Sequence, residues 1–211
     1  MTKSILKCAF LFAAMVLPAH AADPVWGLPE LMIDLGRVKQ AKGTFVEKKY
    51  LKLLNAPLES SGELIYTAPY RLEKLTLAPK PESMVVDQDT LTVEMRGRKR
   101  SLQIQDYPVL WAFVESIRGT LKGDLSALRQ FYEVKLEGSR LAWQLQLQPT
   151  EKKMSALIQV IVIRGSKDRL NTIEISEADG DRSVMTVIDD AAVSAAHDLI
   201  DLAKTRTDIG S

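Results

Sequence analysis

The chain has 211 residues, with 28 Lys and Arg against 27 Asp and Glu, two His and one Cys. So even a balance offers no basic excess to draw in nucleic acid or an anionic membrane. The length suffices for one well-buried core in a single domain, and the scarcity of Cys and His excludes a Cys-based or His-rich metal centre.

Residues 1–21 read as a secretory signal peptide. Lys3 and Lys7 precede the apolar run "CAFLFAAMVL", and "AHA" at 19–21 is a small-x-small cleavage end. The run is too short to span a bilayer comfortably, and Cys8 lies too early in it, behind Lys7, to be a lipidation site. Cleavage after Ala21 removes Cys8, His20 and two lysines, which leaves a net charge of −1 and no disulfide. Residues 22–211 are then one domain, exported to the periplasm.

In "DPVWGLPELMIDLGRVKQ", Leu31, Leu35 and Val38 recur at helical spacing behind Pro29. "GTFVEKKYLKLL" alternates, and the turn-rich "NAPLESSG" follows. In "ELIYTAPYRLEKLTLAP", Leu64 and Tyr66 share one strand face. After Pro69 the alternation resumes with Tyr70 and Leu72, then slips, and Leu75 and Leu77 carry it on. That pattern predicts two strands about a Pro-containing turn, with a bulge in the second. "SMVVD", "TLTVEM" and "SLQIQ" continue the strands around a basic turn, "RGRKR", which reads as solvated, the alternative being a local face for anionic headgroups or a transporter. Leu91, Val93 and Met95 share a face, and Leu102 aligns with Ile104.

At 107–121, "YPVLWAFVESIRGTL", the period becomes helical. Leu110, Val114, Ile117 and Leu121 form the stripe, while Val109, Trp111, Ala112 and Phe113 make the start apolar on nearly every side. Such a helix is buried or covers something apolar. Asp124 is placed to cap a short helix in "GDLSALRQF". Strands return in "YEVKLEG", "LAWQLQLQP", "LIQVIVIRG" and "LNTIEISEADGDRSVMTVID", with a hairpin turn at "ADGD". The final "AAVSAAHDLIDLAK" reads as an amphipathic helix pattern, in which His197 is expected to be a solvated residue. No G-x-S-x-G supports a Ser-His-Asp triad.

The expected fold is therefore α+β and mainly β: one curved antiparallel sheet whose concave face is covered by helices. Periodicity leaves open whether sheet and helix enclose a cavity or pack as a filled core.

Several segments, in this order, resemble the outer-membrane lipoprotein carrier (LolA-like) family. "SGELIYTAPYRLEK" is similar to its S-G-x-L-x-x-x-x-P-x-R-[FL] segment through Ser61, Gly62, Leu64, Pro69, Arg71 and Leu72. "MVVDQDTLTV" is similar to V-x-D-G-x-T-L through Val85, Asp87, Thr90 and Leu91. "LQLQPTEKK" resembles the family's L-x-P strand end, and "EISEADGDRS" its late E-x-D-G hairpin. Departures from the pattern are Ala68, where the family often has Arg before the turn Pro, and Asp87-Gln88-Asp89 in place of Asp-Gly.

The resemblance implies an unclosed β-barrel with helices in its mouth that carries lipid acyl chains of lipoproteins, or another lipid-linked cargo, from inner to outer membrane. The partners implied are an inner-membrane transporter and an outer-membrane acceptor. A monomer without cofactor, metal or catalytic residues is expected. The alternative is a lipid-sensing regulatory protein that uses the same cavity. A hydrolase built on Asp87, Asp89 and Glu94 is disfavoured, because carboxylates near a turn usually serve the turn. The residues expected to line a pocket are Tyr66, Leu72, Leu91, Val93, Leu110, Trp111, Phe113, Val114, Trp143 and Leu145. Arg71, at the rim and able to donate a fork of hydrogen bonds, is the expected latch for the helix over the sheet.

The exported protein is expected to begin at Ala22. Intact-mass measurement of periplasmic protein checks this, and recovery of uncut chain in the membrane fraction would contradict it.

Overall fold

The computed structural model describes residues 26–189. The signal peptide and the helix expected around His197 lie outside the described residues. Within them the chain forms one sheet of eleven antiparallel strands and four α-helices.

Helix α1 (Leu28–Gly36) begins behind Gly27 with Pro29 in its first turn, and Glu30 accepts the Gly27 amide at 2.9 Å. Leu31, Met32 and Leu35 are buried, whereas Val38 falls beyond the helix. Six strands follow as a meander: β1 (Gln40–Tyr50), β2 (Leu58–Thr67), β3 (Arg71–Ala78), β4 (Glu82–Asp87), β5 (Thr90–Met95) and β6 (Arg98–Gln103). A 3-10 turn at Ile104–Asp106 leads into α2 (Pro108–Lys122) and α3 (Leu125–Phe131). Asp124 caps α3 by accepting the Ala127 amide at 3.0 Å, as its position predicts. The second meander is β7 (Tyr132–Ser139), β8 (Ala142–Pro149), β9 (Ile158–Ser166), β10 (Arg169–Glu177) and β11 (Arg182–Asp189), with α4 (Lys152–Ser155) between β8 and β9.

The strand order is β6-β5-β4-β3-β2-β1-β11-β10-β9-β8-β7. The two meanders join where β1 pairs with β11. The outer edges, β6 and β7, do not pair, so the sheet is unclosed. They are also consecutive in sequence, so the segment joining them carries α2 and α3 across the concave face.

That face holds two apolar clusters. The larger packs Leu31, Leu35, Leu128 and Tyr132 against Leu145, Leu147, Ile161 and Ile163, all nearly inaccessible to water. Each large aliphatic side chain buried this way contributes about 1.5–3 kcal/mol. The smaller cluster is a single row across four strands. The register sets Leu72 opposite Val86, Val86 opposite Leu91, and Leu91 opposite Leu102. Ile104, Leu110, Trp111 and Val114 close over the row. Ile104 belongs to the 3-10 turn and not to β6, so it caps the cluster from above instead of extending the strand.

The expected bulge lies elsewhere than at the slip after Leu72. From Leu72 to Thr76 the pairing with β4 is regular, so Lys74 shares the inner face with Leu72, and Leu75 and Leu77 face outward. The slip marks a charged residue turned inward. The irregularity comes later, where Ser61 opposes Ala78 and Gly62 opposes Thr76.

Gly123 ends α2 in the left-handed region, at φ 67°, and its amide bonds to the Gly119 and Thr120 carbonyls. A Cβ there would stand 1.9 Å from the Met32 carbonyl oxygen, so glycine also lets α1 cross the end of α2.

Candidate functional site

The two halves of α2 serve different surroundings. Toward its N-terminus, Leu110, Trp111 and Val114 lie over the row of Leu72, Val86, Leu91 and Leu102. Trp111 also meets Phe131 of α3 edge-on, with ring centres 5.1 Å apart at 71°. Toward its C-terminus, Ser116 and Thr120 are fully buried, and their hydroxyls bond to the carbonyls of Phe113 and Ser116 at 2.6 Å each.

Arg118 joins this helix to the rim of the sheet. Leu110, Val114 and Arg118 are spaced by four, so the cation shares the apolar stripe. Its guanidinium donates to the Gln88 carbonyl at 2.5 Å in the turn between β4 and β5, and also to the Glu115 carboxylate. The Asp89 carboxylate lies 4.0 Å away. The Tyr70 ring, in the turn between β2 and β3, has its centre 5.6 Å from the Arg118 guanidinium and 5.3 Å from the Lys122 ammonium. The side chains of Arg118 and Glu115 are almost wholly buried.

The expected pocket residues do not form one group. Leu72, Leu91, Leu110, Trp111 and Val114 come together in the smaller cluster. Phe113, Trp143 and Leu145 belong to the larger one, where the Trp143 indole donates to the Lys167 carbonyl at 2.9 Å. Tyr66 stands opposite Leu72 and is buried, and its hydroxyl has no hydrogen-bond partner among the described residues. Burial raises its pKa. Val93 is half-buried one row beyond Leu91, outside both clusters. Arg71 donates at 2.8 Å to Glu73 and at 2.8 Å to Asp87. Those bonds bind it to β3 and β4, not to α2, and Arg118 is the cation between helix and rim. Asp87 and Asp89 thus face Arg71 and Arg118, while Glu94 is exposed.

Val86, Leu102, Ile104 and Arg118 are site residues outside the expected set. The spacing of Arg118 from Leu110 and Val114 was the available signal.

A polar group interrupts the inner face on β1. Glu47 accepts from Lys74 at 2.6 Å, from Ser183 at 2.7 Å and from Ser60 at 3.4 Å. Lys74 also lies over the Phe45 ring, 5.0 Å from its centre. Burial pushes the Glu47 carboxyl up, but the bonds from Lys74, Ser183 and Ser60 outweigh it, and the pKa is lowered. In the turn between β10 and β11, Glu177, Asp179 and Asp181 place carboxylate oxygens within 4.8 Å of one another. They already serve Lys49, the Asp181 amide and the Lys52 amide respectively.

A match to the family of outer membrane lipoprotein carrier protein LolA-like chains runs over residues 18–208. The chain belongs to that family. No curated protein matches it. Among solved structures, this LolA-like chain is similar to a LolA superfamily protein from Nitrosomonas europaea, with 9% identity and a TM-score of 0.38, over 75% of this chain and 90% of that one. It is similar to the Pseudomonas aeruginosa MucA/MucB complex structure at 17% identity and a TM-score of 0.43, over 76% of this chain and 54% of that one, about half its length. A DUF1329 family protein from Desulfovibrio piger gives 12% identity and a TM-score of 0.46, over 76% and 88% of the two chains.

Two outcomes follow from these contacts. Arg118→Leu is expected to loosen α2 from the rim and to cost about 3 kcal/mol or more, since Glu115 is left buried without its cation. Hydrogen exchange should then speed up in α2 and the turn at 88–89 before it does in β8 and β9; uniform protection would contradict this. The lowered pKa of Glu47 contributes stability that is complete above the ordinary Glu value of 4.5 and is lost as pH falls through the folded value. Denaturant titrations below that pH should show a fall that Glu47→Gln flattens; identical profiles would contradict it.

Proposed function

We propose that this LolA-like protein carries lipid acyl chains, those of lipoproteins or another lipid-linked cargo, through the periplasm from the inner to the outer membrane. An inner-membrane transporter would load it and an outer-membrane acceptor would unload it. The observation that carries this reading is the divided cover of the concave face. The larger cluster is sealed by residues of all four helices, Met154 of α4 included. The smaller one is sealed only by Ile104 of the 3-10 turn and the first half of α2, and most of its members, Leu72, Leu91, Leu102, Leu110 and Trp111, are only partly buried.

Energetics favour exchange at that place. An acyl chain gains about 0.8 kcal/mol for each methylene removed from water. Charged hydrogen bonds such as those of Arg118 contribute about 1.5–3 kcal/mol each. A cargo chain that buries several methylenes on the Leu72–Leu102 row therefore offsets the loss of the Arg118 bonds. When the cargo leaves, Leu110, Trp111 and Val114 cover the row again, which keeps an apolar surface out of water. The Tyr66 hydroxyl beside Leu72, without a partner among the described residues, is a donor for a carbonyl at the head of an acyl chain.

The test is uptake of a long-chain acyl ligand by purified protein, read from Trp emission. A saturable change that disappears in Trp111→Phe is expected. Leu91→Asp should weaken uptake about tenfold or more, the equivalent of one lost apolar contact. A flat titration with folded wild-type protein would overturn the reading in favour of a permanently filled core.

A further inference from the structure

Antiparallel pairing sends successive turns to opposite ends of the sheet. The turns at 68–70 and 88–89 lie at the end latched to α2. The loop at 51–57 and the turns at 79–81 and 96–97 lie at the other. This second end concentrates two kinds of exposed side chain.

The first kind is cationic. Arg96, Arg98, Lys99 and Arg100 are all exposed. None has an ion pair or side-chain hydrogen bond among the described residues, and Glu94, opposite Lys99 in the register, does not reach it. Elsewhere on the sheet Lys42, Lys48, Arg71 and Arg164 all have carboxylate partners.

The second kind is apolar. Leu53, on the loop between β1 and β2, is 96% exposed, Leu77 at the end of β3 is 62% exposed, and Met95 at the end of β5 is 45% exposed. A cleft of about 590 Å³ opens between the turns at 79–81 and 96–97. Leu75, Leu77, Lys80 and Arg96 line it together with Glu82 and Glu94.

Cations on an edge strand such as β6 also guard against edge-to-edge pairing. That accounts for Arg98 to Arg100, but not for the exposed Leu53 on the loop at 51–57 and Leu77 at the end of β3. Leu53, Leu77 and Met95 stand on three separate elements, the loop at 51–57 and the ends of β3 and β5. A rigid protein partner rewards a continuous complementary surface, whereas a lipid interface accepts single apolar tips beside cations.

We propose that this end of the sheet docks onto the headgroup layer of an anionic phospholipid bilayer. Arg96, Arg98, Lys99 and Arg100 contact phosphates, and Leu53 and Leu77 enter the interface. The inference deepens the lipid-carrier reading and rests on it for its purpose. From the docked rim, Met84 and Val93, paired across β4 and β5, lead along the inner face toward Val86 and Leu91.

The experiment is co-sedimentation of purified protein with phosphatidylcholine vesicles, with and without added phosphatidylglycerol. Binding is expected only with phosphatidylglycerol and is expected to fall at high salt. Each cation near such a surface is worth about fivefold in affinity, so a triple Arg98→Ser, Lys99→Ser, Arg100→Ser variant should bind about a hundredfold more weakly. Replacing the two arginines by lysine should preserve binding, and Leu53→Ser with Leu77→Ser should weaken it. Undiminished binding by the triple Ser variant, or indifference of the wild type to phosphatidylglycerol, would overturn the proposal. So would recovery of an acidic protein partner without vesicle binding. Uptake of a soluble acyl ligand should be unchanged in the triple Ser variant. Vesicle binding without acyl uptake would sink the carrier reading and leave docking standing.

Discussion

An open antiparallel sheet cannot hide its own apolar face. Eleven strands curl around a concavity, but β6 and β7 leave it unclosed, so something else must exclude water from the alternating side chains. The chain meets this constraint with the segment that joins the two edges. The connection from β6 to β7 has to cross the open side, and as it crosses it places α2 and α3 on the apolar face. Topology and solvation thus dictate the same arrangement.

The cover is uneven, and the unevenness follows from side-chain size and polarity. Around the end of α2, Gly36, Gly119 and Gly123 allow close approach. A Cβ on Gly119 would sit 3.0 Å from the Leu128 side chain, and one on Gly36 would sit 2.8 Å from the Lys122 carbonyl oxygen. Three helices therefore mesh over β7 to β10. Tyr132 locks this half by donating to the Ala112 carbonyl at 3.0 Å, in surroundings that push its own pKa upward. Over β3 to β6 only Ile104 of the 3-10 turn and the bulky start of α2 are available. They cover one row of the inner face and leave Met84, Val93 and Met95 beyond it partly or largely open.

The polarity of the rim contact also matters. The cation sits on the helix and the Gln88 carbonyl on a strand turn, so a single side chain, Arg118, spans α2, the turn at 88–89 and the Tyr70 ring. Its buried partner Glu115 comes from the same helix, so the pair travels together if α2 moves. A charge pair that moves as a unit avoids leaving an isolated buried charge behind. Arg71 instead ties two neighbouring strands together and stiffens the rim against which α2 rests.

The sequence by itself determined most of the strands and their order, the helix that crosses the concave face, the Asp124 cap and the resemblance to LolA-like carriers. Those depend on local periodicity, on capping and turn chemistry, and on motifs read within a few residues. It set residues 98–100 in a turn instead of β6, set Ile104 in a strand, and did not signal the short α4. Only the tertiary structure decided which apolar residues meet. Trp111 and Phe113, two positions apart on one helix, face different clusters, because neighbouring positions on a helix point to different sides. The inward turn of Lys74 is explained only by Glu47 on another strand, so in the sequence it looked like a slip of phase. Likewise Arg118 takes one acceptor, the Gln88 carbonyl, from a turn thirty positions earlier in the chain, a pairing that no local pattern encodes.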